Sequence, residues 1–385
     1  MELLAPAGNL LKLKTAYQYG ADACYMGLDA FSLRRGDRGF GYEQLEKALT
    51  IAKNSGKKLY LTANIFARNS DLPSLGEFFR WANSKTPDGM IISDLGVMAL
   101  AQKHAPNVPI HISTQSNILN AEAAKTWEKL GASRLILARE LHISDVSEIA
   151  ANTCCEIEVF VHGAMCMAYS GRCFLSSYMT GRDANRGDCA QPCRWNYALV
   201  EEKRDGEYFP IAQDESGVYL FNSKDLCLIN RLEELEKAGI HSLKIEGRMK
   251  SEYYVAATTK AYRRALDGKE NTGEHEKISH REYSEGFMFG AGDLEIPHSA
   301  GYVRTARLLA AVLDSDGEFI KCEQRNKFHW GDCLEILTPG ENHLIEHCEI
   351  YDENRQVLDS VPHPRQFFYL RSDLNLPGNC FVRSN

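Results

Sequence analysis

Residues 1–266 alternate eight times between a short apolar run and an amphipathic stretch. No other feature limits the fold as strongly. "ELLAPA" is followed by "NLLKLKTAYQYG", "ADACYMGL" by "YEQLEKALTIAKNSG", and "KLYLTANIF" by "LPSLGEFFRWANSK". The pattern continues to "HSLKIEG" and "EYYVAATTKAYRRALDG". Short runs rich in β-branched and aromatic residues, bounded by turn residues, read as buried strands, and the longer stretches have a helical period. Strands that alternate with helices build a parallel sheet, and eight such units in roughly 250 residues match a closed (β/α)8, TIM-like barrel. The competing open, doubly wound sheet would carry a glycine-rich phosphate turn after an early strand, and "APAGN" does not fit that fingerprint.

The pattern changes after residue 266. Residues 267–300 are polar and glycine-rich and read as a connector with a short helix. From 301 to 385 only short strands and turns remain, as in "GEFIKCEQ", "GDCLEIL" and "RQFFYLRS", which predicts a small all-β barrel module. No run of eighteen apolar residues is present, and the start "MELLAPAGN" lacks a basic region ahead of an apolar core, so a cytoplasmic protein is expected. The net charge of -8 argues against a protein that coats nucleic acid through its whole surface, while leaving room for a local basic mouth.

Active-site groups of such barrels sit at the C-terminal strand ends and the following loops. Those positions hold Asn64, Gln115, Glu140, His162, Glu246 and Arg248, the candidate catalytic residues apart from Glu140, which is noted only as a strand-end carboxyl. The loops add Arg34, Arg35 and Arg38 after the second strand and Arg172, Arg182, Arg186 and Arg194 after the seventh. Arg34, Arg35, Arg172, Arg182 and Arg194 are the candidate substrate-binding set, since guanidinium forks suit carboxylates and phosphates. The blander reading pairs about half of these arginines with Asp37, Asp183 and Asp188, makes Asn64 and Gln115 loop braces, and leaves Glu246 and Arg248 as a structural pair.

Four of the twelve cysteines, Cys166, Cys173, Cys189 and Cys193, lie in a cysteine-rich insertion at 162–222 that leaves the seventh strand. In a reducing compartment such a cluster points to metal or redox chemistry ahead of disulfides. Only Cys189 and Cys193 have the close spacing common in zinc sites, whereas iron–sulfur clusters accept wider loops. The segment is therefore read as a 4Fe–4S site first, a zinc site second and unligated thiols third. Cys227 is the alternative fourth ligand, although "SKDLCLINRLEEL" reads as an amphipathic helix. Cys24, Cys154, Cys155, Cys322, Cys333, Cys348 and Cys380 read as packing residues.

"EVFVHGAMCMAYSGRCFLS" resembles the signature of peptidase family U32, the collagenase-like peptidases, with every defined position filled. "APAGN", "SLKIEGRMKS" and "SHREYSEGFMFG" resemble further motifs of that family, and "EQRNKFHWGD" the C-terminal module of the branch whose members hydroxylate tRNA. The resemblance implies oxygen-independent, prephenate-dependent C5 hydroxylation of a wobble uridine to 5-hydroxyuridine. It also implies a 4Fe–4S cluster on Cys166, Cys173, Cys189 and Cys193, a tRNA anticodon loop as partner, and a second protein of the same family as a partner. The target base would be flipped into the barrel, and Tyr169, Phe174, Tyr178, Trp195 and Tyr197 are candidates for stacking. A peptidase and a small-molecule hydroxylase of the ubiquinone-synthesis type are the alternatives. The peptidase lacks both H-E-x-x-H ("HEKISH" has one residue too many) and G-x-S-x-G.

Overall fold

Eight parallel strands close on themselves in a computed structural model of the chain, which describes residues 1–28, 30–32, 41–166, 168–195, 198–200, 208–210, 224–290 and 302–384. Seven come in succession: β1 (Glu2–Pro6), β2 (Ala23–Met26), β3 (Lys58–Ala63), β4 (Gly89–Ile92), β5 (Ile110–Ile112), β6 (Arg134–Ile136) and β7 (Glu156–Ala164). A separate antiparallel pair, β8 (Ala198–Val200) and β9 (Tyr208–Pro210), and the short β10 (Asp225–Cys227) precede the eighth barrel strand, β11 (Ser242–Ile245). β11 pairs with both β7 and β1, which closes the ring. The (β/α)8 expectation holds. Helices α1 (Leu10–Gln18), α2 (Tyr42–Asn54), α3 (Leu72–Lys85), α4 (Leu95–His104), α5 (Ala121–Lys129) and α6 (Ile143–Ala151) link the first seven strands. α7 (Leu175–Thr180) lies in the cysteine segment, α8 (Leu232–Lys237) precedes β11 and α9 (Glu252–Leu266) follows it.

Every residue of β2 and β4 is buried, which is why these strands read as continuous apolar runs without alternation; β6 is buried throughout as well, although it opens with Arg134. Side chains cap several helices: Asp94 accepts from the Val97 N–H and Asn120 from the Ala123 N–H, satisfying backbone donors that the first turn leaves open.

The barrel interior is not aliphatic throughout. On β6, the Arg134 guanidinium lies 2.6 Å from Glu2, 2.6 Å from Glu156 and 3.0 Å from Glu158. The other oxygen of Glu158 accepts from the Lys244 ammonium at 2.8 Å. Tyr60 donates its hydroxyl to Glu2 at 2.7 Å. Burial alone would raise the Glu2 carboxyl, but Arg134, Tyr60 and Lys58 hold it down at about 2 against an ordinary 4.5. Because the folded value is the lower one, this stabilisation is complete above about pH 4.5 and is lost as the pH falls through about 2. Glu2→Gln should remove that acid-sensitive component, on the order of 3 kcal/mol at neutral pH. Denaturant titrations between about pH 2 and pH 6 measure it, and parallel stability profiles for the two proteins would contradict it.

β10 corrects the helix expected at Cys227. Only Ile229–Arg231 (one 3-10 turn) and α8 in that stretch are helical. Asp225–Cys227 pairs antiparallel with the end of β7, and its far edge takes β12 (Tyr283–Ser284). The Arg281 guanidinium clamps this extension through a buried 2.7 Å ion pair with Asp225. Two other thiols read as packing residues, Cys154 and Cys333, are exposed, whereas Cys24, Cys155, Cys322, Cys348 and Cys380 are buried.

The chain divides into two compact units, one of Met1–Tyr17, Ala21–Lys250 and His280–Tyr302, the other of Gln18–Gly20, Ser251–Ser279 and Val303–Asn385. The last helix of the alternation, α9, is thus counted with the second unit. Within that unit its residues Tyr253–Tyr262 are all buried. The Lys260 ammonium donates to the Thr338 carbonyl at 2.8 Å, and fully buried Arg383 reaches Tyr253 and Glu274. The rest of the unit is one antiparallel sheet built from β13 (Leu308–Ser315), β14 (Phe319–Gln324), β15 (Leu334–Leu337), β16 (His343–Ile345), β17 (Ile350–Tyr351), β18 (Phe367–Arg371) and β19 (Phe381–Ser384). Its order is β16-β15-β19-β13-β14-β18-β17, a half-barrel around Val312, Ile320, Cys322, Phe368, Leu370 and Val382.

Candidate active site at the barrel mouth

His162 lies near the end of β7 with its ring buried, 5.3 Å from the ring of Tyr283. Tyr283 in turn stacks flat on His280 at 4.1 Å. The partner directly opposite His162 on β10 is Cys227. Opposed residues of an antiparallel pair project their side chains from one face, so this half-buried thiol shares a face with the imidazole. Between β7 and β11 the register shifts at Lys244/Ile245, a bulge that re-aims the residues after it. The Glu246 N–H then donates to the His162 carbonyl at 2.9 Å.

The Glu246 carboxylate accepts from Arg139 at 3.1 Å. Arg139, which follows β6, also donates to the Ala164 carbonyl at 3.1 Å and lies over the Phe160 ring at 3.8 Å. Its Nε has no hydrogen-bond partner among the described residues. Next to it, Glu140 is half-buried, and burial pushes its carboxyl above the ordinary range. Gln115, in the 3-10 turn after β5, is buried; its Oε1 accepts from Ser113 at 3.1 Å, and its Nε2 has no partner among the described residues. Asn64 is half-buried, and its backbone carbonyl accepts from Ser93 at 3.0 Å.

Arg248 follows β11 and reaches across to two neighbouring strands. It is 3% exposed, donating to the Gly27 carbonyl at 2.7 Å and to Thr62 Oγ1 at 3.3 Å, so it braces the C-terminal ends of β2 and β3. A Cβ on Gly27 would collide with Thr62, and one on Gly8, in "APAGN", with the Arg248 carbonyl. Both positions need glycine because backbone and side chain approach so closely there.

The cysteine segment is pinned across several loops of the mouth. Arg186 forks onto Asp71 at 2.9 and 3.1 Å and donates to the Phe66 carbonyl at 3.1 Å. Asn117 donates to the Ser170 carbonyl at 3.1 Å. Gly171, with φ +75°, sits so close that a Cβ would lie 2.7 Å from the Phe66 ring. Inside the segment, Ser176 accepts the Ala190 N–H at 3.0 Å and Cys189 Sγ accepts the Gln191 N–H at 3.4 Å. α7 packs on the 3-10 turn Pro192–Arg194, which carries Cys193. Cys166, Cys173, Cys189 and Cys193 are all half-buried. Among the described residues, no three His, Cys, Asp or Glu side chains stand together as a metal site.

A model of peptidase family U32 matches residues 8–296, and a model of that family's C-terminal domain matches residues 304–383. The chain belongs to peptidase family U32. Among its relatives, tRNA hydroxylation protein P1 of Bacillus subtilis (strain 168) is 38% identical over 98% of this chain and 93% of its own length. tRNA hydroxylation protein P of Escherichia coli (strain K12) is 37% identical over 90% of this chain and 89% of its own. The 23S rRNA 5-hydroxycytidine C2501 synthase of Escherichia coli (strain K12) is 34% identical over 69% of this chain and 39% of its own.

Part of the U32 signature in this chain is scaffold. Glu158 anchors the buried ion network, Phe160 carries Arg139, and Gly163 adopts φ +102°. The loop arginines divide in the same way. Arg182 pairs with Asp188 at 2.9 Å, as the blander reading had it, while Arg172 is exposed with no carboxylate partner among the described residues. Arg34, Arg35, Arg38 and Tyr197, and the side chain of Arg194, lie outside the described residues. Arg139 was not expected from the sequence; the signal was its place beside Glu140 in "LILARE", directly after a strand.

Proposed function

We propose that this chain hydroxylates tRNA, converting a wobble uridine to 5-hydroxyuridine with prephenate in place of molecular oxygen. What carries the reading is similarity along nearly the whole chain to a protein named for tRNA hydroxylation. The mouth geometry supports it. Arg172 offers a free fork for a carboxylate or phosphate, and Gln115 Nε2 and Arg139 Nε offer unspent donors for the carbonyl groups of a flipped base. Glu140, with its carboxyl raised by burial, is the group suited to hold and release a proton beside them. The exposed rings of Tyr169, Phe174, Tyr178 and Trp195 provide stacking surface, with Phe174 and Tyr178 four residues apart around α7.

Cys166, Cys173, Cys189 and Cys193 are proposed to hold a 4Fe–4S cluster. The donor set fits: four half-buried cysteines on one loop that leaves the C-terminal end of a barrel strand. Because no three of them stand together as a metal site, loading would require the loop to draw them closer. Bound there, the cluster would supply electron transfer or Lewis-acid chemistry. The strand pairing of β10 favours a second set in which Cys227 replaces Cys193.

Mass spectrometry of tRNA nucleosides from a strain lacking the gene tests the function. 5-Hydroxyuridine-derived wobble nucleosides should disappear and return with the intact gene. Unchanged tRNA together with lost casein or collagen cleavage would put the peptidase reading in its place.

A further inference from the structure

The second unit's sheet presents a face of rings and cations outward. β14 alternates strictly: Ile320, Cys322 and Gln324 are buried, while Phe319, Lys321 and Glu323 face outward. β18 alternates in step, with Phe368 and Leu370 inside and Phe367, Tyr369 and Arg371 outside. The register sets Lys321 opposite Tyr369, Glu323 opposite Phe367, and Tyr369 opposite Tyr351 of β17. The outward rings therefore form a row. Phe319 meets Tyr351 edge-on at 5.5 Å, and Trp330, from "EQRNKFHWGD", extends the row at 5.9 Å from Tyr351.

Cations are interleaved with these rings. The Arg355 guanidinium lies 3.7 Å from the Phe319 ring centre and 3.9 Å from that of Tyr369. The Lys321 ammonium stands 5.6 Å from the Phe367 ring and has no carboxylate partner among the described residues. Acids are present as well: Asp316 is 3.5 Å from Arg355, Glu349 is 3.6 Å from Arg371, and Glu323 is held by Arg325 at 2.8 Å. The first two are long, exposed contacts that contribute little and yield readily to a stronger anion. Cross-strand ring pairs alone would account for Phe319, Tyr351 and Tyr369. They do not account for Trp330 and Phe367, which leave 40% and 46% of their surface in water. Half-exposed rings beside cations on an open sheet face are what single-stranded nucleic acid needs, a π-face for each base and positive charge for the backbone.

We propose that this face binds single-stranded RNA, with bases stacked on Trp330 and Phe367 and phosphates met by Lys321 and Arg355. The choice of RNA rests on the function proposed above; the platform itself rests on its own geometry. Fluorescence anisotropy of a labelled twelve-nucleotide uridine oligomer with the full-length protein tests it. Trp330→Ala and Phe367→Ala should each weaken binding about tenfold with an unchanged melting temperature, and Phe367→Tyr should keep it. Lys321→Glu should weaken binding and make it less sensitive to salt. Variants that bind as the unaltered protein does would overturn the proposal. So would an unaltered protein that ignores the oligomer in a species whose deletion strain loses tRNA hydroxylation, and in that case the proposed function stands alone. Binding that depends on these rings, in a protein whose deletion leaves tRNA unchanged, would keep the platform and remove the function. Trp330→Ala that turns a dimer into a monomer without changing RNA affinity would make the face a protein interface, against the proposal.

Discussion

Glu158→Ala should cost about 3–5 kcal/mol and leave the barrel unit at the edge of unfolding at room temperature. Glu158 is fully buried and takes two cations, Lys244 at 2.8 Å and Arg134 at 3.0 Å, whose own side chains are 5% and 3% exposed. Arg134 keeps Glu2 and Glu156 after the change, but Lys244 keeps no carboxylate within an ion-pair distance among the described residues. Burial already holds the Lys244 ammonium below its ordinary range, offset by Glu158. Without that carboxylate the lysine must either stay charged in a dry interior or give up its proton, and both are unfavourable. Adding Lys244→Met should recover a large part of the loss, because removing both partners of a buried pair is far milder than removing one. Urea denaturation followed by circular dichroism measures both variants. A single variant within about 1 kcal/mol of the unaltered protein would show that the interior is wet enough to solvate the stranded cation.

Much of the fold was legible because a parallel barrel hides both faces of its strands. The apolar runs at Ala23–Met26 and Gly89–Ile92 therefore stand out against the amphipathic helices around them. Strand-end positions likewise led to His162, Glu246 and Gln115, which do lie at the mouth. β10 was not legible. Its three residues open a stretch whose leucine spacing is helical, and it becomes a strand only because β7 runs on to Ala164 and Arg281, 56 residues away, clamps Asp225. Local period carries no trace of a partner that distant. Arg248 was legible only in part: its strand-end position carries no trace of the Thr62 hydroxyl and the Gly27 carbonyl that accept from it.

Serine at Cys166, Cys173 or Cys189 should each take anaerobically purified protein from brown, with about four iron atoms per chain, to nearly colourless, and abolish tRNA hydroxylation. A thiolate is the ligand iron–sulfur clusters require, and a serine hydroxyl holds its proton too tightly to replace it. The fourth position has two contenders, and the structure says why. Cys193 rides on the turn that packs against α7, within the loop that carries the other three thiols. Cys227 comes from a different strand, directly opposite His162 and hence near the point where the chain leaves β7 toward Cys166. The family resemblance assigns Cys193, so Cys193→Ser should lose iron and Cys227→Ser should retain it. The reverse result would move the fourth ligand to β10. It would also place His162 beside the metal, because the thiol and the imidazole share a face. Stoichiometric zinc in a colourless unaltered protein would remove the cluster and leave the four thiols as a zinc site.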